Sequence, residues 1–434
     1  MTTVKQRNDP GGRTGIRRWA IDLRPLRIPA YRRLWLGTGV GGCGSQIALV
    51  AVSVQMYDLT RDSFWVGLLG VATFVPLLVF GLWGGAFADV LDRRRLMVAS
   101  SVLAWVTSFG LLAQALLGAD SPVLLLVLVA VNSSAFAVSS PTRQAIIPRL
   151  VPTELVPAAN TLSFTTATAT MVAGPLLAGL ILAVWPPAVA LPVAYGVDGL
   201  LFGAAVWANL RLPALPPAGS SDGVRRTAGL RSVIEGFRYL ATTRVLLLSF
   251  AIDLVAMVFA MPRALFPAIA EDRFGGGAAA GLLYSAIAAG SMLAGLTSGW
   301  LGRVGRQGLG LVLAVVGWGV AIAGAGLARQ LWLVVLLLAV AGAADLVSAV
   351  LRQTMLMVHV PDEMRGRLQG VNVVVVAGGP RLGDLRAGAT AAAFGTGIAW
   401  VGGGVAAVVL AVLLAVAFPA LRRYRPTGAG TGAR

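Results

Sequence analysis

Twelve long apolar stretches, separated by short connections that carry arginine, constrain this chain more than any other feature of its sequence. They run at approximately 34–56, 64–88, 96–117, 122–144, 158–184, 187–209, 245–269, 279–301, 308–328, 331–357, 367–393 and 397–419. Each is long enough for an α-helix to cross the hydrocarbon core of a bilayer. They are continuous rather than alternating, which favours helices over a barrel. Only 12% of the residues are charged, whereas a soluble domain carries about a quarter. The expected fold is an all-α membrane protein of twelve transmembrane helices.

The net charge of +17 could signal nucleic acid. Its distribution points to insertion topology instead. Basic residues crowd the N-terminal tail (Arg13, Arg17, Arg18, Arg24, Arg27, Arg32, Arg33) and alternate connections: Arg93, Arg94, Arg95; Arg149; Arg211 to Arg244; Arg303 and Arg306; Arg365 and Arg367; then Arg422, Arg423 and Arg425. The remaining connections hold only Arg61, Arg273 and Arg329 beside several carboxylates. This asymmetry predicts both termini in the cytoplasm, and no nucleic-acid partner.

The chain repeats itself. Arg143-Gln144 followed by Val151-Pro152-Thr153-Glu154-Leu155 returns 209 residues later as Arg352-Gln353 and Val360-Pro361-Asp362-Glu363-Met364. Gly174-Pro175 with Gly179 returns as Gly383-Asp384 with Gly388. The expected organisation is therefore a tail (1–33), a six-helix bundle (34–209), a linker (210–244), a second six-helix bundle (245–419) and a tail (420–434). Within the linker, 229–243 reads as an amphipathic interfacial helix with Leu230, Val233, Ile234, Phe237 and Leu240 on one face. Two duplicated, pseudo-symmetric bundles suit a rocking carrier with its substrate site between the halves.

Between the second and third spans, Gly84-Gly85-Ala86-Phe87-Ala88-Asp89-Val90-Leu91-Asp92 precedes Arg93, Arg94 and Arg95. On its own chemistry this is either an ordinary basic loop or a gating element. The pattern resembles the loop 2–3 motif of the major facilitator superfamily, and the resemblance extends over 30–420. A weaker echo, Gly299 to Arg306, lacks the acidic residues. Gly174-Pro175 with Gly179 resembles the glycine-proline motif of exporters in that superfamily; read physically, it is a kinked helix with room for a close neighbour. Stretches such as Pro262-Arg263-Ala264-Leu265-Phe266-Pro267 and Gly281-Leu282-Leu283-Tyr284 look like the siderophore-exporter branch. That branch also contains drug efflux pumps, so the resemblance implies transport more firmly than cargo.

Charges inside apolar spans need a partner or a watery cavity, because each costs ~2.5–3.5 kcal/mol at a helix centre. Asp198, Asp253, Arg263, Asp345, Arg381 and Asp384 are the candidates for substrate and proton handling, with Arg386 nearby. To carry protons a carboxylate must gain and lose one within the membrane; Asp253, Asp345 and Asp198 are ranked in that order. Each is alternatively a fixed partner for an arginine. Arg381 and Asp384, three apart, are placed to neutralise one another, while Pro380 beside them favours a gating or substrate role. Arg263 is alternatively a snorkelling residue. Arg143 and Arg352 are expected at a cytoplasmic gate with Asp89 and its neighbours, or as solvated rim residues.

Several functions drop out. Lys5 is the only lysine, so no phosphate-loop lysine exists and ATP is not expected as a partner. His359 is the only histidine and Cys43 the only cysteine, which leaves zinc and disulfides without support. Gly39, Gly41 and Gly44 mimic a dinucleotide fingerprint but lie inside an apolar span with no preceding strand. No catalytic cluster suggests an enzyme, and no cofactor is expected. The sequence thus predicts a monomeric, multi-pass secondary transporter of the cytoplasmic membrane. It would export a small amphipathic molecule by alternating access against protons, with uptake by symport or a non-transporting receptor as alternatives.

Overall fold

The computed structural model describes residues 22–90, 92–214, 230–360 and 362–424, with side chains omitted at 82–90, 230–233, 359, 362, 363, 365 and 366. Every regular element among the described residues is helical. The first six long helices are α1 (Pro29–Thr60), α2 (Ser63–Val90), α3 (Arg93–Leu117), α4 (Pro122–Leu150), α5 (Val156–Val184) and α6 (Pro187–Leu210). The short α7 (Leu230–Thr242) precedes α8 (Arg244–Phe259), α9 (Phe266–Phe274), α10 (Gly277–Leu296), α11 (Gln307–Leu327), α12 (Leu331–His359), α13 (Asp362–Phe394), α14 (Thr396–Ala417) and the short α15 (Pro419–Arg423).

Eleven stretches among the described residues are long and apolar enough to cross a membrane, α8 and α9 counting as one. The remaining predicted span falls on α13, whose 33 residues reach about 50 Å. Arg381, Asp384 and Arg386 interrupt its apolar character. The seventh span is not the continuous helix the hydropathy suggests. Pro262 and Pro267 bracket a 3-10 turn, Arg263–Leu265, that separates α8 from α9, as expected where proline removes backbone donors.

Helix packing carries the repeat into three dimensions. In the first half α1 packs on α5 and α6, α2 on α4, and α3 on α4 and α6. In the second half α8 packs on α13 and α14, α10 on α12, and α11 on α12 and α14. These are the same pairings displaced by six spans, as a two-fold between duplicated bundles requires. The halves meet along two seams, α5 with α10 and α2 with α13, which the same operation exchanges.

Polar side chains close the helix ends at the termini side of the bundle. Asp92 caps α3, its carboxylate accepting from the Arg94 and Arg95 amides at 2.8 and 3.2 Å. Arg93 donates to the Ala145 carbonyl at 3.2 Å and Arg94 to that of Leu210 at 2.7 Å, near the C-terminal ends of α4 and α6. The Leu210 carbonyl is one that α6 leaves unpaired at its end, and a cation suits that pole of both helices. Two arginines of the basic run thus tie α3, α4 and α6 together. Amphipathic α7 docks on α13 through Gly236 and Leu240, with Arg367 bridging to Glu235 at 3.2 Å. Ile234 and Phe237 of its apolar face stay exposed.

Candidate functional site

The glycine-proline motif of α5 lies on a seam. A Cβ on Gly179 would sit 2.9 Å from the Gly281 Cα and 3.0 Å from the Ala278 carbonyl of α10, so the two backbones touch. Gly174 faces α1 instead, where an added Cβ would stand 3.0 Å from the Cys43 carbonyl. The repeat partners do equivalent work. Gly388 of α13 meets Ser63 and Phe64 of α2, and Gly383 meets Met257 of α8 and Met261 just beyond its end. Each motif thus supplies one approach within its own half and one across the seam.

Both seams are tight at the end of the bundle that carries the α1–α2 turn. There Gly67 and Gly70 of α2 pack on the backbone of Arg381, Asp384 and Leu385. Leu182 of α5 packs on Gly277 at the start of α10. Arg61, in the left-handed region at φ 52°, ends α1 and reaches across to Glu271 of α9 at 3.6 Å. Its other nitrogen lies 4.0 Å from Asp58. A non-glycine residue in that region is strained. Both partners are exposed, so this latch contributes at most about 1 kcal/mol, or roughly fivefold in an opening equilibrium. Glu271→Gln should therefore raise labelling of a Ser53→Cys probe, added from the α1–α2 side in a Cys43→Ser background, by about two- to fivefold. Unaltered labelling would show that the bridge does not hold this end shut.

Charged groups gather where the halves meet. Arg263, in the turn between α8 and α9, lies within electrostatic reach of Asp345 on α12 and of Arg381 and Asp384 on α13. Tyr284 of α10 donates its hydroxyl to the Arg263 carbonyl at 3.1 Å, and Ser53 of α1 faces the same hydroxyl from the first half. Phe266 stacks edge-on against Tyr284, ring centres 5.0 Å apart. Arg263, Tyr284, Asp345 and Arg381 are half-buried, whereas Asp384 is buried. Arg381 and Asp384 do not form the direct salt bridge that their spacing permits; buried Arg381 Nε and Asp384 Oδ1 have no hydrogen-bond partner among the described residues. Leaving such groups unsatisfied is expensive, and in a membrane it marks a path or a ligand site.

The other intramembrane charges separate from this cluster. Asp253 of α8 and Arg352 of α12 form a buried ion pair wholly within the second half, with Arg352 5.8 Å above the Phe250 ring. Arg352 is thus not at a rim, and the Asp89 side chain lies outside the described residues. Its repeat partner Arg143 is half-buried and makes no ion pair among the described residues. Asp198 of α6 is buried between Gly44 and Ser108, in the first half. One turn away, Tyr195 donates to Gln55 at 2.6 Å, and Gln55 and Gln114 exchange amide hydrogen bonds. Sequence reasoning missed this uncharged network because no charge flags it, although two glutamines inside apolar spans were a usable signal. Arg386 is a further structural cation: its Nε donates to the Val258 carbonyl at 2.9 Å, near the end of α8. Gly84 and Gly85 belong to α2, but the environment of their motif lies outside the described side chains.

A duplicated helical bundle with charges gathered at the seam between its halves is the arrangement expected of a multi-pass membrane transporter. The sequence profile of the transmembrane secretion effectors matches residues 20–426. The chain belongs to this family of major facilitator transporters, and it is a secondary transporter. It is 31% identical over 416 residues to the enterobactin exporter EntS of Shigella boydii, covering 94% of this chain and 97% of that protein. Among solved structures, the nucleoside transporter NupG superposes with a TM-score of 0.71 at 18% identity, covering 91% of this chain and all of that one. A bacterial homologue of the lysosomal transporter Spinster, inward-facing and unoccupied, superposes at 0.65 with 18% identity, covering 94% and 100%. These two likenesses establish the fold alone.

Proposed function

We propose that this protein exports a small amphipathic molecule of the siderophore or natural-product type across the cytoplasmic membrane, in exchange for protons. The observation that carries the reading is the seam cluster of Arg263, Asp345, Arg381 and Asp384, with Tyr284 bridging toward α1. It offers two kinds of charge and an aromatic wall, which suits a cargo with an apolar body and polar edges. Its carboxylates are the groups placed to exchange a proton for cargo. Similarity to an exporter over nearly the whole chain supports the outward direction.

The α1–α2 end is the exterior in this reading, the arginine-rich loops and both termini are cytoplasmic, and α13 is the twelfth span. The tight outer seams then correspond to a state open toward the cytoplasm, ready to load. Residues 34–209 and 245–419 rock as two bodies, joined through 210–244 and flanked by the tails 1–33 and 420–434. The protein works as a monomer without ATP. Asp253 is bound to its arginine, so proton exchange falls to Asp384 and Asp345 ahead of Asp253 and Asp198.

Everted membrane vesicles loaded by an imposed proton gradient test this. Uptake of a labelled catecholate siderophore should collapse with a protonophore and survive ATP depletion. Asp384→Asn and Asp345→Asn should each lower gradient-driven flux by roughly tenfold or more, the scale of one well-placed charged hydrogen bond. Flux that needs ATP, or that both variants leave intact, would overturn the proposal. Flux running only into intact cells would make the protein a symporter.

A further inference from the structure

An open groove of about 870 Å³ lies at the α1–α2 end of the second half, away from the seams. Its walls are the end of α11, the loop after it and the first turns of α14. Leu327 and Ile398, 70% and 62% exposed, offer apolar surface at the point where both helices reach the membrane border. Arg273 and Arg329 stand over that surface.

The groove is basic by construction. Neither guanidinium has a carboxylate at ion-pair distance among the described residues. The two acids nearest in sequence face elsewhere: Glu271 is bridged to Arg61, and Asp272 lies toward Tyr57. Arg273 is held in place by donating to the Gly326 carbonyl at 3.0 Å, which leaves its other N–H groups for a ligand. Gly395 brings no capping side chain to α14, so the first amides of that helix also open here.

We infer that this groove binds an anionic phospholipid of the surrounding leaflet, its phosphate held by Arg273 and Arg329 and an acyl chain lying over Leu327, Ile398 and Val401. A bidentate guanidinium matches phosphate geometry, and the apolar floor continues into the bilayer, where an acyl chain already runs. A lipid there would brace α9 against α11 and α14, and α9 carries the Arg61–Glu271 latch. The site does not depend on which cargo the seam cluster takes.

The test is native mass spectrometry of the purified full chain after incubation with mixed micelles of phosphatidylglycerol and phosphatidylcholine. Phosphatidylglycerol should be retained at least fivefold over phosphatidylcholine, and Arg273→Gln/Arg329→Gln should abolish the preference. Arg329→Gln alone, which breaks no hydrogen bond among the described residues, should reduce it and guards against misfolding of the double variant. Melting in detergent should rise with added phosphatidylglycerol and not with inorganic phosphate. Equal retention of both lipids, a preference that survives the substitutions, or full competition by millimolar phosphate would each overturn the inference. A shift from monomer to dimer abolished by the same substitutions would do so too, by assigning the groove to a second copy.

Discussion

Arg352→Gln with Asp253 left in place should destabilise the protein by about 3–5 kcal/mol, the usual consequence of stranding one member of a buried ion pair. The two side chains are almost wholly shielded, at 4% and 2% exposure, and no other carboxylate among the described residues is bonded to the guanidinium. Asp253→Asn should cost a similar amount. The double variant, Asp253→Asn with Arg352→Gln, should recover much of the loss, because neutral polar partners leave no bare buried charge. A double-mutant cycle on unfolding of the purified protein in one detergent measures this. Additive losses would mean that the two residues act independently. The stable double variant carries a second result: gradient-driven export should persist in it, since the pair lies inside one half and away from the seam. A stable protein that no longer couples flux to protons would return the proton-carrying role to Asp253.

Gly281→Val should reduce export by more than tenfold while the protein still inserts. The added Cβ would lie 2.6 Å from the Gly179 Cα and 2.7 Å from its nitrogen, with the Pro175 carbonyl closer still. All of these are backbone atoms, which cannot swing aside as a side-chain tip does. The seam at the α1–α2 end can then no longer close, and transport stalls. Labelling of the Ser53→Cys probe from the α1–α2 side should rise together with the loss of flux. Gly388→Val, on the second seam, should behave alike, since Phe64 Cα lies 3.0 Å from its Cβ position. Gly196→Val, on α6 with nothing within 4 Å, is the control and should transport normally. Normal export by Gly281→Val would show that the seam need not close to this distance.

Hydropathy made the helical architecture readable because lipid imposes the same demand on every span: cover about 30 Å with apolar side chains and bond the backbone internally. It failed at α8–α9, where the residues stay apolar through a break that only Pro262 and Pro267 announce. It also understates α13, whose charges conceal a full-length helix; the 209-residue repeat is the better guide there. Gly179 and Gly388 were legible as a pair, since duplicated contacts keep duplicated glycines. The fate of individual charges was not legible. Asp253 and Arg352 are 99 residues apart and lie on different helices, so no spacing rule joins them. Arg381 and Asp384 have ideal helical spacing and nevertheless leave Nε and Oδ1 without partners among the described residues.

The crossed contacts have a corollary for how such a chain could arise. Helix α5 meets α10 while α13 meets α2, so surface patch A of one half touches patch B of the other, and B of the first touches A of the second. That reciprocity is the signature of a closed isologous dimer. Half the gene product already encodes both faces of a self-complementary joint, and fusion merely freed the two copies to specialise. One kept an acid–base pair in its interior at Asp253 and Arg352, while the other set Gly44 against the carboxylate of Asp198.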